Sequence, residues 1–183
     1  CFSLADFIAP KNTNKQDFIG GFVVCIKGAE ELAQSYNAQL DDYNAIMVKA
    51  IADRLAESFA EHLHLRVRTE FWGYVADEKL DNDELIKEGY QGIRPAPGYP
   101  ACPEHNEKEK LFTLLDASNH IGVNLTESFA MDPPSSVSGW YLAHPKSKYF
   151  GVGKIDQDQV KSLASRKNSS IDDIQQRLSP VIK

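Results

Sequence analysis

Cysteine is scarce and unpatterned in this 183-residue sequence: Cys1, Cys25 and Cys102 are an odd number with no CxxC spacing. That excludes a disulfide framework and a zinc knot, so the three read as free thiols. Long apolar runs are missing too. The longest, Phe22 to Ile26, is strand-sized, far short of the ~18 residues that cross a bilayer. No signal peptide is legible, because the apolar start Cys1 to Ala9 contains Asp6 and lacks a basic flank. A cytoplasmic location is the default expectation. Basic residues are outnumbered, 20 Lys and Arg against 26 Asp and Glu for a net charge of −6. That balance argues against nucleic acid or a basic lipid anchor, since phosphate binding comes mostly from Lys and Arg.

Catalytic signatures are equally sparse. There is no GxGxxG and no Walker loop, and Ser138-Gly139 lacks the preceding Gly-x of a nucleophile elbow. His62 and His64 lie two apart in a helical pattern, so they diverge by ~200° and cannot share a metal. No metal site and no catalytic nucleophile are expected. The length suits one domain with a core of its own. The chain opens at Cys1 with sequence that already looks internal to a domain, which reads as a fragment.

Two extended pieces are predicted first, Leu4 to Ile8 and Phe18 to Ile26, around the polar loop Pro10 to Asp17. A helical pattern then runs from Ala29 to Arg68 through Leu32, Tyr36, Leu40, Tyr43, Met47, Ile51, Leu55, Phe59, Leu63 and Val67. Unbroken, it would span ~60 Å, so a break is expected between Ser35 and Asp42. A helical turn follows from Asn82, the expected cap, to Glu88, and another helix from Glu104 to Ala117. Short apolar pieces at Val123 to Leu125 and Phe129 to Met131 precede the turn Asp132-Pro133-Pro134. Val137 to Ala143 and Lys148 to Ile155 read as a hairpin. Asp156 with Gln159 caps a helix through Ala164, and Ser170 with Asp173 caps a last one ending near Leu178. The fold class expected is α+β, a largely antiparallel twisted sheet with a long central helix and flanking helices.

The densest loop signal lies between Gly89 and Pro103, where three glycines and four prolines fall within fifteen residues. Pro95, Pro97 and Pro100 fix φ and extend the residues before them, leaving backbone groups that cannot pair along a ladder. Arg94 offers a guanidinium suited to a carboxylate or phosphate, Gly98 permits close approach, and Tyr99 presents an aromatic face. The alternative is a polyproline-like loop in which Arg94 makes a surface ion pair and Tyr99 fills a core edge. Glu57 lies off the apolar stripe and Glu88 precedes the glycine loop. Both suit a small cationic ligand, or are simply solvated.

That loop, continued through Ala101-Cys102-Pro103-Glu104-His105-Asn106-Glu107-Lys108, resembles the activation domain of cobalamin-dependent methionine synthase. Four further segments occur in the same order: Leu4-Ala5-Asp6-Phe7-Ile8-Ala9-Pro10-Lys11, Asp41-Asp42-Tyr43-Asn44 leading to Ala52-Asp53-Arg54-Leu55-Ala56-Glu57, Leu125-Thr126-Glu127-Ser128-Phe129-Ala130-Met131, and Val137-Ser138-Gly139-Trp140-Tyr141 with Ser147-Lys148-Tyr149. The resemblance spans nearly the whole chain. It implies a single activation domain over residues 1–183, truncated on its N-terminal side, that binds S-adenosylmethionine for reductive methylation of inactive cob(II)alamin. It also implies a flavodoxin-type electron donor and the enzyme's cobalamin-binding domain as partners, with cobalamin and zinc held in other domains.

By the same resemblance, Arg94 binds the methionine carboxylate, backbone groups of Arg94 and Ala96 meet the adenosyl moiety, and Tyr99 lies near the reacting end. Glu57, Glu88 and Tyr149 match family positions at the ligand. Two departures stand out. An upstream segment carrying a ligand-binding aspartate in the family is absent, so the isolated chain is expected to bind weakly and to be inactive alone. Asp132-Pro133-Pro134 replaces a Trp-Pro-Gly type sequence of some members. The competing reading is a docking module for the cobalamin domain and flavodoxin whose ligand binding is lost.

Overall fold

In a computed structural model, residues 2–183 are described; Cys1 lies outside them. Cys25 and Cys102 are both free thiols. The first strand, β1 (Gly20–Cys25), pairs antiparallel with β4 (Ser136–Tyr141), Gly20 facing Tyr141 and Cys25 facing Ser136. A second small sheet joins β2 (Asn124–Leu125) to β3 (Met131–Asp132). The α+β expectation therefore holds, with sheets that are antiparallel but only two strands wide.

The helical stretch breaks where its length required. α1 (Ala29–Asn37) ends, Leu40 turns at φ 59°, and α2 (Asp42–Arg66) begins with the Asp41 Oδ1 accepting the Asn44 N–H at 3.1 Å. The face that α2 buries differs from the expected apolar stripe. Tyr43 is 72 % and Ile51 52 % exposed, and Met47, Leu55 and Phe59 are also exposed, while Ala45, Ala52, Ala56, Ala60 and His64 are buried. Small side chains let the helix lie close to α1 and the sheet, and large ones on that face would hold it away. Only the end of the stripe, Leu63 and Val67, joins the core of Phe22, Val24 and Tyr141. α2 passes into a single π turn, Val67–Phe71.

Three further expectations are corrected. Leu4–Phe7 is a 3-10 turn rather than a strand, because Ser3 and Asp6 cap it reciprocally. The helix α3 (Asn82–Ile86) is capped by Asp81, not Asn82: Asp81 Oδ1 accepts from the Glu84 N–H at 2.9 Å, and Glu84 Oε2 from the Asp81 N–H at 3.0 Å. The hairpin does not form. β4 pairs with β1 instead, and residues 148–155 form no strand: Tyr149 and Val152 bond the loop at Arg94 and Pro100, while Ile155 makes a parallel bridge with Ile182.

The remaining helices are α4 (Glu107–Leu115), α5 (Ala117–Ile121), α6 (Gln157–Lys167) and α7 (Ile171–Arg177). α4 starts three residues later than predicted, and Asp116 at φ 48° separates it from α5. α6 starts with Gln159 Oε1 accepting the Asp156 N–H at 2.9 Å; Ser170 Oγ accepts the Asp173 N–H at 3.1 Å at the start of α7. These two helices enclose a separate apolar cluster of Ile155, Val160, Ala164, Ile174 and Leu178. Lys167 ties α6 to the start of α4 through ion pairs with Glu104 and Glu107. No helix of the described residues is long and apolar enough to cross a membrane.

Candidate ligand-binding site

The segment after Gly92 enters the sheet beside β4. Ile93 and Leu142 exchange both backbone hydrogen bonds at 3.0 Å, and the Trp140 N–H donates to the Pro95 carbonyl at 2.9 Å. Proline spacing then ends the pairing. Residues 96–102 close on themselves, with the Tyr99 N–H donating to Ala96 O at 3.2 Å and the Gly98 N–H to Cys102 O at 2.7 Å. Gly98 sits at φ +96° with the His105 ring packed where a Cβ would lie, so both backbone and space require glycine. Among the described residues, the Arg94 carbonyl and the Ala96 N–H have no protein partner.

Residues 149–152 strap this loop from outside. The Tyr149 hydroxyl accepts the Arg94 N–H at 3.0 Å, and the Val152 N–H donates to Pro100 O at 3.0 Å. Tyr149 was expected on a strand, and it reaches the site from an irregular segment.

A cavity of about 610 Å³ opens beneath the loop. All six residues singled out in the sequence line it: Glu57 from α2, Glu88 before the glycine turn, Arg94, Ala96, Tyr99 and Tyr149. The volume suits a drug-sized or nucleoside-sized molecule. Glu57 and Glu88 are exposed and make no ion pair, so their carboxylates are free to meet a cation. Tyr99 is 61 % exposed at the mouth and fills no core edge. Arg94 is neither free nor on a surface ion pair, for its guanidinium is held by Glu61, Tyr90 and His64. Burial disfavours its charge, but Tyr149, Tyr90 and Glu61 outweigh that and raise its pKa. It is a permanent cation facing two carboxylates, an arrangement that complements a zwitterion.

The structure adds residues that sequence reasoning missed. Lys108 is buried at the cavity wall, its Nζ donating to Phe129 O at 2.9 Å and lying 3.0 Å from His105 Nδ1. Burial lowers the Lys108 pKa, and burial followed by Lys108 lowers that of His105. Ser138 is buried with its hydroxyl unpartnered and also lines the cavity. Glu61 and His64 follow Glu57 on α2, and Arg68 follows in the π turn, at helical spacing. That polar stripe inside a long helix was the available signal for Glu61 and His64. Among the described residues no cluster of His, Cys, Asp or Glu could hold a metal ion.

This is an α+β domain whose loop-roofed cavity is lined by Arg94, Glu57 and Glu88, with Lys108 in its wall. The chain belongs to the activation-domain family of vitamin B12-dependent methionine synthase, whose sequence profile matches residues 1–168. It is also similar to the crystal structure of a MetH reactivation domain bound to AdoHcy, at 57% identity with a TM-score of 0.94. That match covers 98% of this chain and 55% of the other, so the chain spans about half the length of its relative.

Proposed function

We propose that the chain binds S-adenosylmethionine in the cavity beneath the Gly92–Pro100 loop and acts as the reactivation module of a cobalamin-dependent methionine synthase. One observation carries this: Arg94, Glu57 and Glu88 converge with Ala96, Tyr99 and Tyr149 on a single cavity. Arg94 pairs with the methionine carboxylate, the strongest neutralisation available in the site. The Arg94 carbonyl and the Ala96 N–H, unpartnered in the protein, take the donor and acceptor edges of adenine. Glu57 and Glu88 face the ammonium and sulfonium charges, and Tyr99 lies at the exposed mouth beside the reacting methyl group.

In this reading the chain's own chemistry is positioning, which lowers a transfer barrier by holding the methyl donor in a reactive orientation. Cobalamin, held elsewhere in the parent enzyme and reduced by one electron from cob(II), would supply the nucleophile for the methyl group, with S-adenosylhomocysteine left in this cavity. The partners are that enzyme's cobalamin-binding domain and a flavodoxin-type reductant in the cytoplasm, and the isolated chain is inactive as a methyltransferase. Support comes from family membership and from the relative bound to AdoHcy. Crystals of the full-length protein grown with S-adenosylmethionine test it. Ligand density between Arg94 and Glu57 is expected; density at another surface, with this cavity empty, refutes the assignment.

A further inference from the structure

Arg94 lines the cavity, but the three groups that hold its guanidinium do not. Glu61 Oε2 accepts from Nη2 at 2.6 Å, the Tyr90 hydroxyl from Nη1 at 2.9 Å, and His64 Nδ1 lies 3.2 Å from Nη1. None of the three lines the ligand space. A guanidinium has five N–H donors, so three bonds leave two uncommitted.

The holders are themselves fixed. Tyr90 is buried with its ring 4.2 Å from the Arg68 guanidinium carbon, and Arg68 is locked by a two-point pair to Glu78 at 2.6 and 2.7 Å. His64 is fully buried, stacked on Tyr141 at 5.2 Å and edge-on to Tyr90 at 5.0 Å. Burial, then Arg68 and Arg94, push its pKa down to about 2. The ring is therefore neutral, and its Nδ1 keeps a lone pair for Arg94.

We propose that Glu61, Tyr90 and His64 are positioning residues that pre-set the Arg94 guanidinium with its two remaining donors toward the ligand carboxylate. This rests on the S-adenosylmethionine reading above. A free arginine would lose rotamer freedom on binding, and one already clamped loses less, so affinity is gained without a new ligand contact. Glu61 also partly neutralises Arg94 in the empty site. Glu61 itself does not line the cavity.

The test measures affinity of the full-length protein for S-adenosylmethionine and for 5′-methylthioadenosine, which lacks the amino-acid end. Tyr90→Phe and Glu61→Ala are expected each to weaken S-adenosylmethionine about tenfold, the scale of one charge-assisted bond. Glu61→Gln, whose amide oxygen still accepts, should recover most of the Glu61→Ala loss. Methylthioadenosine affinity should stay within about twofold throughout, as the clamp acts only through the carboxylate. Unchanged S-adenosylmethionine affinity, or tighter binding by Glu61→Ala, overturns the clamp, the latter by showing competition. A loss shared equally by both ligands also overturns it, by showing general disruption. If Arg94→Ala itself binds S-adenosylmethionine as well as the wild type, the site reading falls and the clamp with it.

Discussion

The Tyr149 hydroxyl accepts a hydrogen bond from the Arg94 N–H at 3.0 Å across 55 positions of sequence. This bond joins the strap at residues 149–152 to the loop that roofs the cavity, and the Tyr90 hydroxyl accepts from the Arg94 side chain at 2.9 Å. Backbone and side chain of one arginine are thus fixed by two neighbouring tyrosines.

Tyr149→Phe keeps the ring but removes the acceptor. A half-buried N–H left without a partner costs about 1 kcal/mol or somewhat more. The expected outcome is a lower urea midpoint with an unchanged m-value, together with weaker S-adenosylmethionine binding. Unaltered stability and affinity would show that the bond contributes nothing to the loop.

Gly98→Ala places a Cβ in the left-handed region at φ +96° and against the His105 ring. The backbone strain alone is about 1–3 kcal/mol, and the ring must also move. Chemical denaturation should show a loss of at least that size, and removing the ring with His105→Ala in the same chain should restore only the steric part.

His64 gives the fold an acid-sensitive element. Its folded-state pKa is depressed to about 2 by burial and by Arg68 and Arg94, against 6.5 for the free side chain. The unfolded state therefore binds an extra proton between those values, and stability falls as pH drops. The contribution is fully present above pH 6.5 and is lost progressively toward pH 2, with a slope of at most about 1.4 kcal/mol per pH unit. Denaturation at pH 7, 6, 5 and 4 should show the decline, and a shallower one in His64→Gln. Equal slopes in both proteins would contradict the assignment.

Lys167→Met leaves the buried Glu104 carboxylate without its cation, while Glu107 retains Lys110 at 3.0 Å. Removing one member of a buried pair costs about 3 kcal/mol. Because the pair joins α6 to α4, hydrogen exchange should quicken in both helices. Exchange confined to α6 would mean that the C-terminal helices pack independently of this contact.

Local chemistry made much of this legible in sequence. The break before α2, the reciprocal bond at Asp156 and Gln159, and the glycine and proline density of the loop all act within a few residues of themselves. The alternation of Lys148 to Ile155 fits a hairpin, but Tyr149 and Val152 bond Arg94 and Pro100 some fifty residues away, and Ile155 pairs with Ile182. The burial of α2 was misread for a related reason. Large apolar side chains look like the core-facing stripe, yet close packing against α1 and the sheet selects Ala52, Ala56 and Ala60. Of the cavity residues, Arg94, Tyr99, Glu57 and Glu88 stand out in the sequence itself, whereas Ala96 and Tyr149 come only from the family resemblance. Glu61 and His64 show in sequence only as polar positions at helical spacing on α2, and Tyr90, which meets Arg94 through the fold, has no such local signal.

The most direct test of the account is calorimetric titration of S-adenosylmethionine into the full-length protein and its Arg94→Ala variant. Saturable one-to-one binding is expected, weakened at least about a hundredfold by the substitution, since the guanidinium is the carboxylate's charged partner. Equal affinity in the two proteins would contradict it.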